Sequence, residues 1–277
     1  MPSFPSRRAF LSAAATLALG ASVLFSLGAV SAQAAASTVE PAANIPLGAL
    51  PLACDSTPNG AVCTDAVVAA LDSARRVLGL GPYVLPADFA TLAGTKQILI
   101  LSNLDRIAYG LPPIAGIAPA LASANVKGIS GDSDPDPTTL LRSLGSYAWT
   151  ANWAGDWANA SVAYYEWMYE DGFAGSQTTN IDCTSATASG CWDHRRNVLA
   201  FAGSGTLVLG AAVGNDPQGQ TGYATTLVWT PGSAWTTYSY TWAQAQADGA
   251  GVPHSSSLVR KHVHRQHRRA HRHHTKQ

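Results

Sequence analysis

The chain has 277 residues, 47% of them apolar and 12% charged, which is enough to build a full hydrophobic core. Its formal charge of zero hides an asymmetry, because all 17 acidic residues lie within residues 40–248 together with only eight lysines and arginines. This body therefore has a net charge near −9, whereas seven lysines and arginines follow residue 253. Nucleic-acid binding by so acidic a body is not expected.

Residues 1–34 are predicted to be an export signal. Arg7 and Arg8 precede an apolar run through Val30, and Ala32-Gln33-Ala34 has the pattern of a cleavage site. The paired arginines before Phe-Leu resemble a twin-arginine (Tat) signal, which carries folded proteins across a bacterial membrane. A membrane anchor is the alternative. No later stretch is apolar enough to span a bilayer, so we expect a soluble protein that is secreted or bound to the cell envelope.

Four cysteines in an exported chain predict two disulfides, for which three pairings are open. The local pairs Cys54–Cys63 and Cys183–Cys191 are favoured, since each closes a short loop of turn-forming residues. Zinc binding is disfavoured because neither pair has the spacing of a zinc knuckle. Residues 35–85 are predicted to be an N-terminal extension with one disulfide and one helix.

Periodicity and capping predict helices first and strands late in the chain, which is typical of the α+β class. The predicted helices cover about residues 64–78, 86–109, 115–126 and 159–171, and the predicted strands cover residues 204–213, 223–229 and 236–241. Asn159 is the expected cap of the helix that ends near Asp171.

Alternating acids at Asp132, Asp134 and Asp136 suggest a calcium loop, but the EF-hand pattern requires a glycine where Pro137 stands and a glutamate where Ser143 stands. Asp136 as a helix cap explains the segment better.

A polar site is expected within residues 167–199. Glu170 and Asp171 close a predicted helix, and two acids are unfavourable at its negative end, so a basic partner is expected nearby. His194 is the only histidine outside the C-terminal tail. The candidate partners are His194, Arg195 and Arg196.

Three motifs in this order resemble the bacterial branch of the CAP superfamily, the secreted SCP-like proteins. They are Asn103-Leu-Asp-Arg106 with Gly110-Leu-Pro-Pro-Ile114, then Trp167-Met-Tyr-Glu170, then His194-Arg-Arg-Asn197-Val-Leu199. The resemblance implies an α/β/α sandwich with a long groove, formed by a CAP/SCP-like domain over residues 86–250.

In that family the groove has two histidines and two glutamates, which bind a divalent metal in some members. Glu170 and His194 match the second acid and the second histidine. Ala151 stands where the first glutamate is expected, and no histidine precedes His194. Since a zinc site needs at least three protein ligands, neither a metal nor another cofactor is expected.

The resemblance implies a non-catalytic module that binds a lipid, a glycan or another wall component in an aromatic groove. The candidate groove residues are Trp149, Trp153, Trp157, Glu170, Trp192, His194, Arg195 and Asn197. One alternative is a cell-wall or peptide hydrolase in which Glu170 and His194 exchange protons with the substrate. Others are a buried structural Glu170–His194 pair and a wall-associated protein without a small ligand.

Residues 251–277 are predicted to be a disordered basic tail. Residues 254–277 contain seven of the eight histidines and seven lysines or arginines. We expect them to bind anionic wall polymers or a membrane surface, more strongly in acid and more weakly in salt. Metal chelation by the tail is the weaker alternative.

Overall fold

A computed structural model describes residues 40–155, 159–171, 183–187 and 190–251 of the chain. The predicted export signal and nearly all of the predicted basic tail lie outside these ranges. Within them, no helix is both long enough and apolar enough to cross a membrane.

The described residues form eight α-helices, three short 3₁₀ segments and five strands, an arrangement compatible with the α+β class. The helices are α1 Ala53–Ser56, α2 Ala61–Val77, α3 Gly94–Ala108, α4 Ala122–Ser130, α5 Thr138–Leu141, α6 Ala160–Tyr169, α7 Asp193–Val198 and α8 Trp242–Ala247. The 3₁₀ segments are Phe89–Thr91, Pro119–Leu121 and Arg142–Leu144. The strands are β1 Gly116–Ile117, β2 Ala148–Gly155, β3 Thr206–Asn215, β4 Thr221–Thr230 and β5 Tyr240–Thr241.

One five-stranded sheet has the order β2-β4-β3-β1-β5. Strands β3 and β4 form an antiparallel hairpin, and β2 pairs antiparallel with β4 over its whole length. Strand β1 runs parallel to β3 and antiparallel to β5. Strand β2 is consequently an edge strand, so half of its backbone polar groups need partners from outside the sheet.

Helices cover both faces of this sheet. On one face, Leu209 and Leu227 join the main core with Ile98 of α3 and Trp167 of α6. Helix α2 belongs to the same core through Val67 and other fully buried residues, so the N-terminal extension packs into the body.

On the other face, α4 and the segment before it approach the sheet very closely. A Cβ at Gly210 would lie 2.5 Å from Cβ of Leu121 and 2.6 Å from Nδ2 of Asn125, so only glycine fits there. The Asn125 amide donates to the Thr226 hydroxyl at 3.1 Å within this contact.

Several predicted boundaries differ from the structure. The helix expected from residue 86 begins at Gly94 instead, since the chain first makes the turn Phe89–Thr91. Residues 115–126 do not form one helix as expected. They begin with β1 and the turn Pro119–Leu121, and α4 starts only at Ala122. The strand expected at residues 236–241 is confined to β5. Strand β2 precedes α6, so the strands do not all come late, and neither β2 nor α8 was predicted.

Other expectations are confirmed. The Asn159 side chain caps α6 by accepting a hydrogen bond from the Val162 N–H at 3.0 Å. Both local cysteine pairings are present, with Cα–Cα distances of 4.8 Å for Cys54–Cys63 and 5.8 Å for Cys183–Cys191.

Arg106 holds the chain that follows α7. Its buried guanidinium donates to the carbonyl oxygens of Val198, Ala200 and Phe201 at 2.7–3.0 Å, and also to that of Pro112. Burial lowers the pKa of Arg106 to about 10. Phe201 has a positive φ of 64°, an uncommon conformation for a non-glycine residue, and the hydrogen bond to its carbonyl helps to hold it.

Candidate functional site

The site is built where α6 ends and α7 begins. The Asp171 carboxylate, 1% exposed, lies 2.7 Å from Nδ1 of His194 and accepts from the backbone N–H of His194 at 2.9 Å. The Arg195 N–H also donates to it, at 3.3 Å. Anchored by these N–H groups at the start of α7, the carboxylate fixes the imidazole orientation and favours a proton on Nδ1.

Electrostatics favour the protonated imidazole. Burial on its own lowers the pKa of His194, but the hydrogen bond that the imidazole donates to Asp171 and the negative charges of Asp171, Asp134 and Asp193 outweigh it, so the pKa is raised above its usual value. The side chain is 26% exposed, so a proton can exchange with a ligand or with solvent. His194 is therefore suited to proton transfer or to binding a polar group.

Asp134 lies at the surface beside this histidine. Removal of water by neighbouring atoms raises the pKa of the Asp134 carboxyl, whereas His194 and the backbone N–H of Trp153 lower it. The Trp153 N–H belongs to edge strand β2, so Asp134 provides a partner for one of the backbone groups of that strand. Asp134 also borders an open concavity of about 410 Å³. Its lining is polar or small, consisting of Lys127, Gly128, Ser130, Gly131, Ser133, Asp134, Asp136 and Thr139.

Glu170 does not pair with His194, contrary to the expectation. Its carboxylate accepts a hydrogen bond from the backbone N–H of Leu47 at 3.0 Å. Helix α6 ends at Tyr169, and Glu170 has the non-helical φ of −130°, so the two consecutive acids point to different partners. The expected basic partner exists, but it contacts Asp171.

Polar side chains attach α7 to the edge strand. The Asn152 amide donates to the His194 carbonyl at 3.0 Å, and the Asn197 amide donates to the Ala151 carbonyl at 2.7 Å. The Thr150 hydroxyl donates to the Asn197 carbonyl at 3.0 Å. Because these contacts cap the sheet edge, they fix the distance between β2 and the histidine.

The space between α6, α7 and the sheet is nearly filled. The cavity there, bordered by Trp167, Asn197 and Ala151, has a volume of about 10 Å³. That is room for about one water molecule. Within the part of the chain that the structure describes, this gap does not admit a lipid chain.

The expected aromatic groove residues do not line one surface. Trp149 and Trp153 pack on the face of the sheet that α4 covers. Trp192 is completely buried against the Cys183–Cys191 disulfide. Arg195 is also buried and donates to the Met168 carbonyl at 2.8 Å, so it supports the fold. Trp157 lies outside the described residues.

The acidic loop before α5 has a structural explanation. Oδ1 of Asp136 accepts from the N–H of Thr138, the first residue of α5, at 2.8 Å. Pro137 occupies the cap position of this short helix, so Asp136 lies one residue before the place where a cap was expected. Among the described residues, no group of three or more histidine, cysteine or acidic side chains has the arrangement of a metal site.

No family model, no curated protein and no solved structure matches this chain. The motif residues have clear positions nonetheless. Asn103 exchanges two hydrogen bonds with the backbone of Ile114, at 2.7 and 3.0 Å, and thereby holds the Gly-Leu-Pro-Pro-Ile turn. Arg106 of the same motif holds the end of α7. These motifs join the elements that carry His194.

Asp171, Asp134 and Asn152 are the site residues that sequence reasoning did not select. In the sequence, Asp171 is one of two consecutive acids and Asp134 belongs to an alternating acidic segment, and neither pattern indicates contact with His194. Asn152 lies in a strand that was not predicted. The acids that lie near His194 in space, rather than in sequence, can be identified only once the fold is known.

Proposed function

We propose that this chain is an exported, CAP/SCP-like protein whose body binds a polar component of the cell wall, a glycan, without catalysing its breakdown. The supporting observation is the concavity that begins at Asp134, beside the Asp171–His194 pair. Carboxylates, hydroxyls and a histidine offer the donors and acceptors that sugar hydroxyls need.

A glycan is better supported than a lipid. A lipid chain needs an enclosed apolar volume, and small-molecule pockets usually reach about 300–1,000 Å³. The cavity between α6 and α7 has about 10 Å³, whereas the polar concavity at Asp134 has about 410 Å³. The size and polarity of the two spaces therefore favour a ligand rich in hydroxyl groups.

Nuclear magnetic resonance titration with soluble peptidoglycan fragments tests this proposal. We expect saturable shifts of the His194 ring and of the Trp153 backbone amide, and weaker binding by Asp134→Asn. The matched control is Asp55→Asn, because Asp55 is exposed on α1 and far along the chain from the concavity. Equal binding by the two variants, or shifts only elsewhere, contradicts the proposal.

A hydrolase remains the second candidate, because the buried Asp171 orients an accessible histidine as a general base requires. In this version the pair is Asp171–His194 rather than Glu170–His194. Incubation with purified walls should then release soluble fragments, and His194→Gln should abolish the release. Absence of release at high enzyme concentration contradicts catalysis and leaves the binding proposal intact.

We also propose that residues 254–277 attach the acidic body to an anionic wall polymer or membrane surface. The supporting observation is their composition, seven histidines and seven lysines or arginines. Each basic residue near an anionic membrane contributes about 1 kcal/mol, and this contribution is screened by salt. Cosedimentation with walls and with anionic vesicles, at two salt concentrations and two pH values, tests the idea. Binding that survives deletion of residues 254–277 contradicts it.

A further inference from the structure

The N-terminal segment of the described body, residues 40–47, runs without helix or strand across the end of α6 and the start of α7. We call it the strap. We propose that the surface beneath the strap is a binding site for an extended acidic peptide, and that the strap is its resident, displaceable ligand. The strap is held by Tyr169, Glu170 and Arg196, whereas the glycan proposal uses Asp134 and His194.

The strap is held as a peptide ligand is held, through its backbone and through the Ile45 and Leu47 side chains, which pack against the main core. The N–H of Asn44 donates to the Cys183 carbonyl and the N–H of Ile45 to the Tyr169 carbonyl, both at 2.8 Å. The N–H of Leu47 donates to the Glu170 carboxylate at 3.0 Å. Three backbone donors thus meet three fixed acceptors, as in other modes of extended-peptide recognition.

The body also donates a hydrogen bond to a carbonyl group of the strap. The Tyr165 hydroxyl donates to the Ile45 carbonyl at 3.0 Å. Prolines in the strap occur only at Pro41 and Pro46, where no N–H is needed, and they restrict the backbone to extended conformations. The sequence of the strap therefore matches the hydrogen-bonding pattern of the surface.

Charge sets the orientation of the peptide. The Arg196 guanidinium makes two hydrogen bonds to the Glu40 carboxylate, at 2.6 and 2.8 Å. The two ends of the strap are held differently. At its first residue, the Glu40 carboxylate binds Arg196, and at its last residue, the Leu47 N–H donates to Glu170. A suitable peptide has an acid seven residues before a free backbone N–H, as Glu40 precedes Leu47, with uncharged and mostly apolar residues between them.

The strap is attached at one end in a way that permits release. Gly48 has a positive φ of 79° and nothing within 4 Å of the position of a Cβ, and both Gly48 and Ala49 are exposed. The chain that follows is fixed to the body by α2 and the Cys54–Cys63 disulfide. A cut after Gly48 therefore separates the strap from a body that remains anchored on the other side.

The test uses the full chain with a protease recognition sequence inserted after Gly48, cut after folding. A fluorescent peptide of residues 40–50 is added, and its anisotropy reports exchange with the cut strap. We expect saturable binding, weakened about tenfold or more by N-methylation at Leu47, since the lost bond is to a charged carboxylate. N-methylation at Ala43, whose N–H has no partner among the described residues, is the matched control and should leave binding unchanged.

Arg196→Gln should weaken peptide binding about two- to fivefold, as expected for a partly exposed ion pair. Circular dichroism of the cut protein verifies that the fold persists. Failure of the peptide to bind at millimolar concentration to a folded, cut protein overturns the proposal, and so does equal binding of the two N-methylated peptides. Dimers formed by the uncut chain, detected by light scattering and dissolved by the peptide, would identify a second copy as the source of the bound strap.

Discussion

Asp105 and Asp171 are both buried aspartates, but they have different roles because their partners differ. Asp105 lies inside the body, fully buried, where Arg75 and the hydroxyls of Tyr83 and Tyr164 contact it, the two hydroxyls at 2.7 Å. Asp171 is almost as buried, but the partly exposed imidazole of His194 is among its partners. The partners of Asp105 are buried with it, whereas Asp171 acts on a histidine that solvent can reach.

The partners determine this difference. Burial, and then the charge of Asp105, raise the pKa values of Tyr83, Tyr164 and Tyr169 well above their usual range, so these hydroxyls remain proton donors. None of them, nor Arg75, changes protonation near neutral pH. His194 does, because an imidazole titrates in that range. A buried acid thus acts in structure beside tyrosines and in proton chemistry beside a histidine.

The largest expected effect is at Asp105. Asp105→Ala leaves the buried guanidinium of Arg75 without its counter-ion, so we expect a loss of about 3–5 kcal/mol in the free energy of unfolding. Urea denaturation measures it. The double variant Arg75→Met, Asp105→Leu should regain part of the loss, since no charge is then left unpaired. A single-variant loss below about 1 kcal/mol would contradict the structural role of this pair.

A smaller loss is expected at the second carboxylate. Asp171→Asn keeps the volume but removes the charge that accepts from His194, and we expect a loss of about 2 kcal/mol. The pKa of His194 should fall, because the hydrogen bond that its ring donates to the Asp171 carboxylate does most to raise it. Titration followed by nuclear magnetic resonance measures that shift. Asp193→Asn, at an exposed acid that also raises the pKa, is the control and should lower it less.

Helix α6 contributes to both carboxylate sites, so its cap distinguishes global stability from site electrostatics. Asn159→Ala removes the cap on the Val162 N–H and should cost about 1 kcal/mol in unfolding free energy. The pKa of His194 should not change, since Asn159 lies at the opposite end of α6 from Asp171. A shifted His194 titration in this variant would show that the two sites are coupled through the helix.

Sequence reasoning reached the features that depend on local chemistry. Asn159 caps its helix because a short polar side chain meets the free N–H groups, and the two cysteine pairs close because short loops bring them together. The late hairpin of β3 and β4 follows from β-branched runs on either side of a Gly-Asn-Asp-Pro turn.

The rest depends on partners that are distant in sequence. Strand β2 contains alanine, asparagine and glycine, which have low strand propensity, and its pairing with β4 decides its conformation. Spacing alone could not choose between Glu170 and Asp171, because the choice depends on the residue at which α6 unwinds. Asp105 lies in a mainly apolar helix, and a buried acid there requires a buried partner, but the sequence does not show that this partner is Arg75.

The smallest expected effect is the pH dependence that His194 contributes to folding. Its pKa in the folded chain is raised above the unfolded value of about 6.5, so the protonated form is stabilised by folding. This stabilisation is complete below about pH 6.5 and is lost as the pH rises through the folded pKa. The difference in unfolding free energy between the unmodified protein and His194→Gln should therefore be greatest in acid and decline towards alkaline pH. Partial exposure of the imidazole limits its size through solvent screening. Urea denaturation from about pH 5 to about pH 9 measures the difference. Asp105→Asn should destabilise to a similar extent across this range, because its tyrosine and arginine partners do not titrate within it. If the His194→Gln difference grew with pH instead, the neutral imidazole would be the form that the fold prefers, and the Asp171 carboxylate would not govern the histidine.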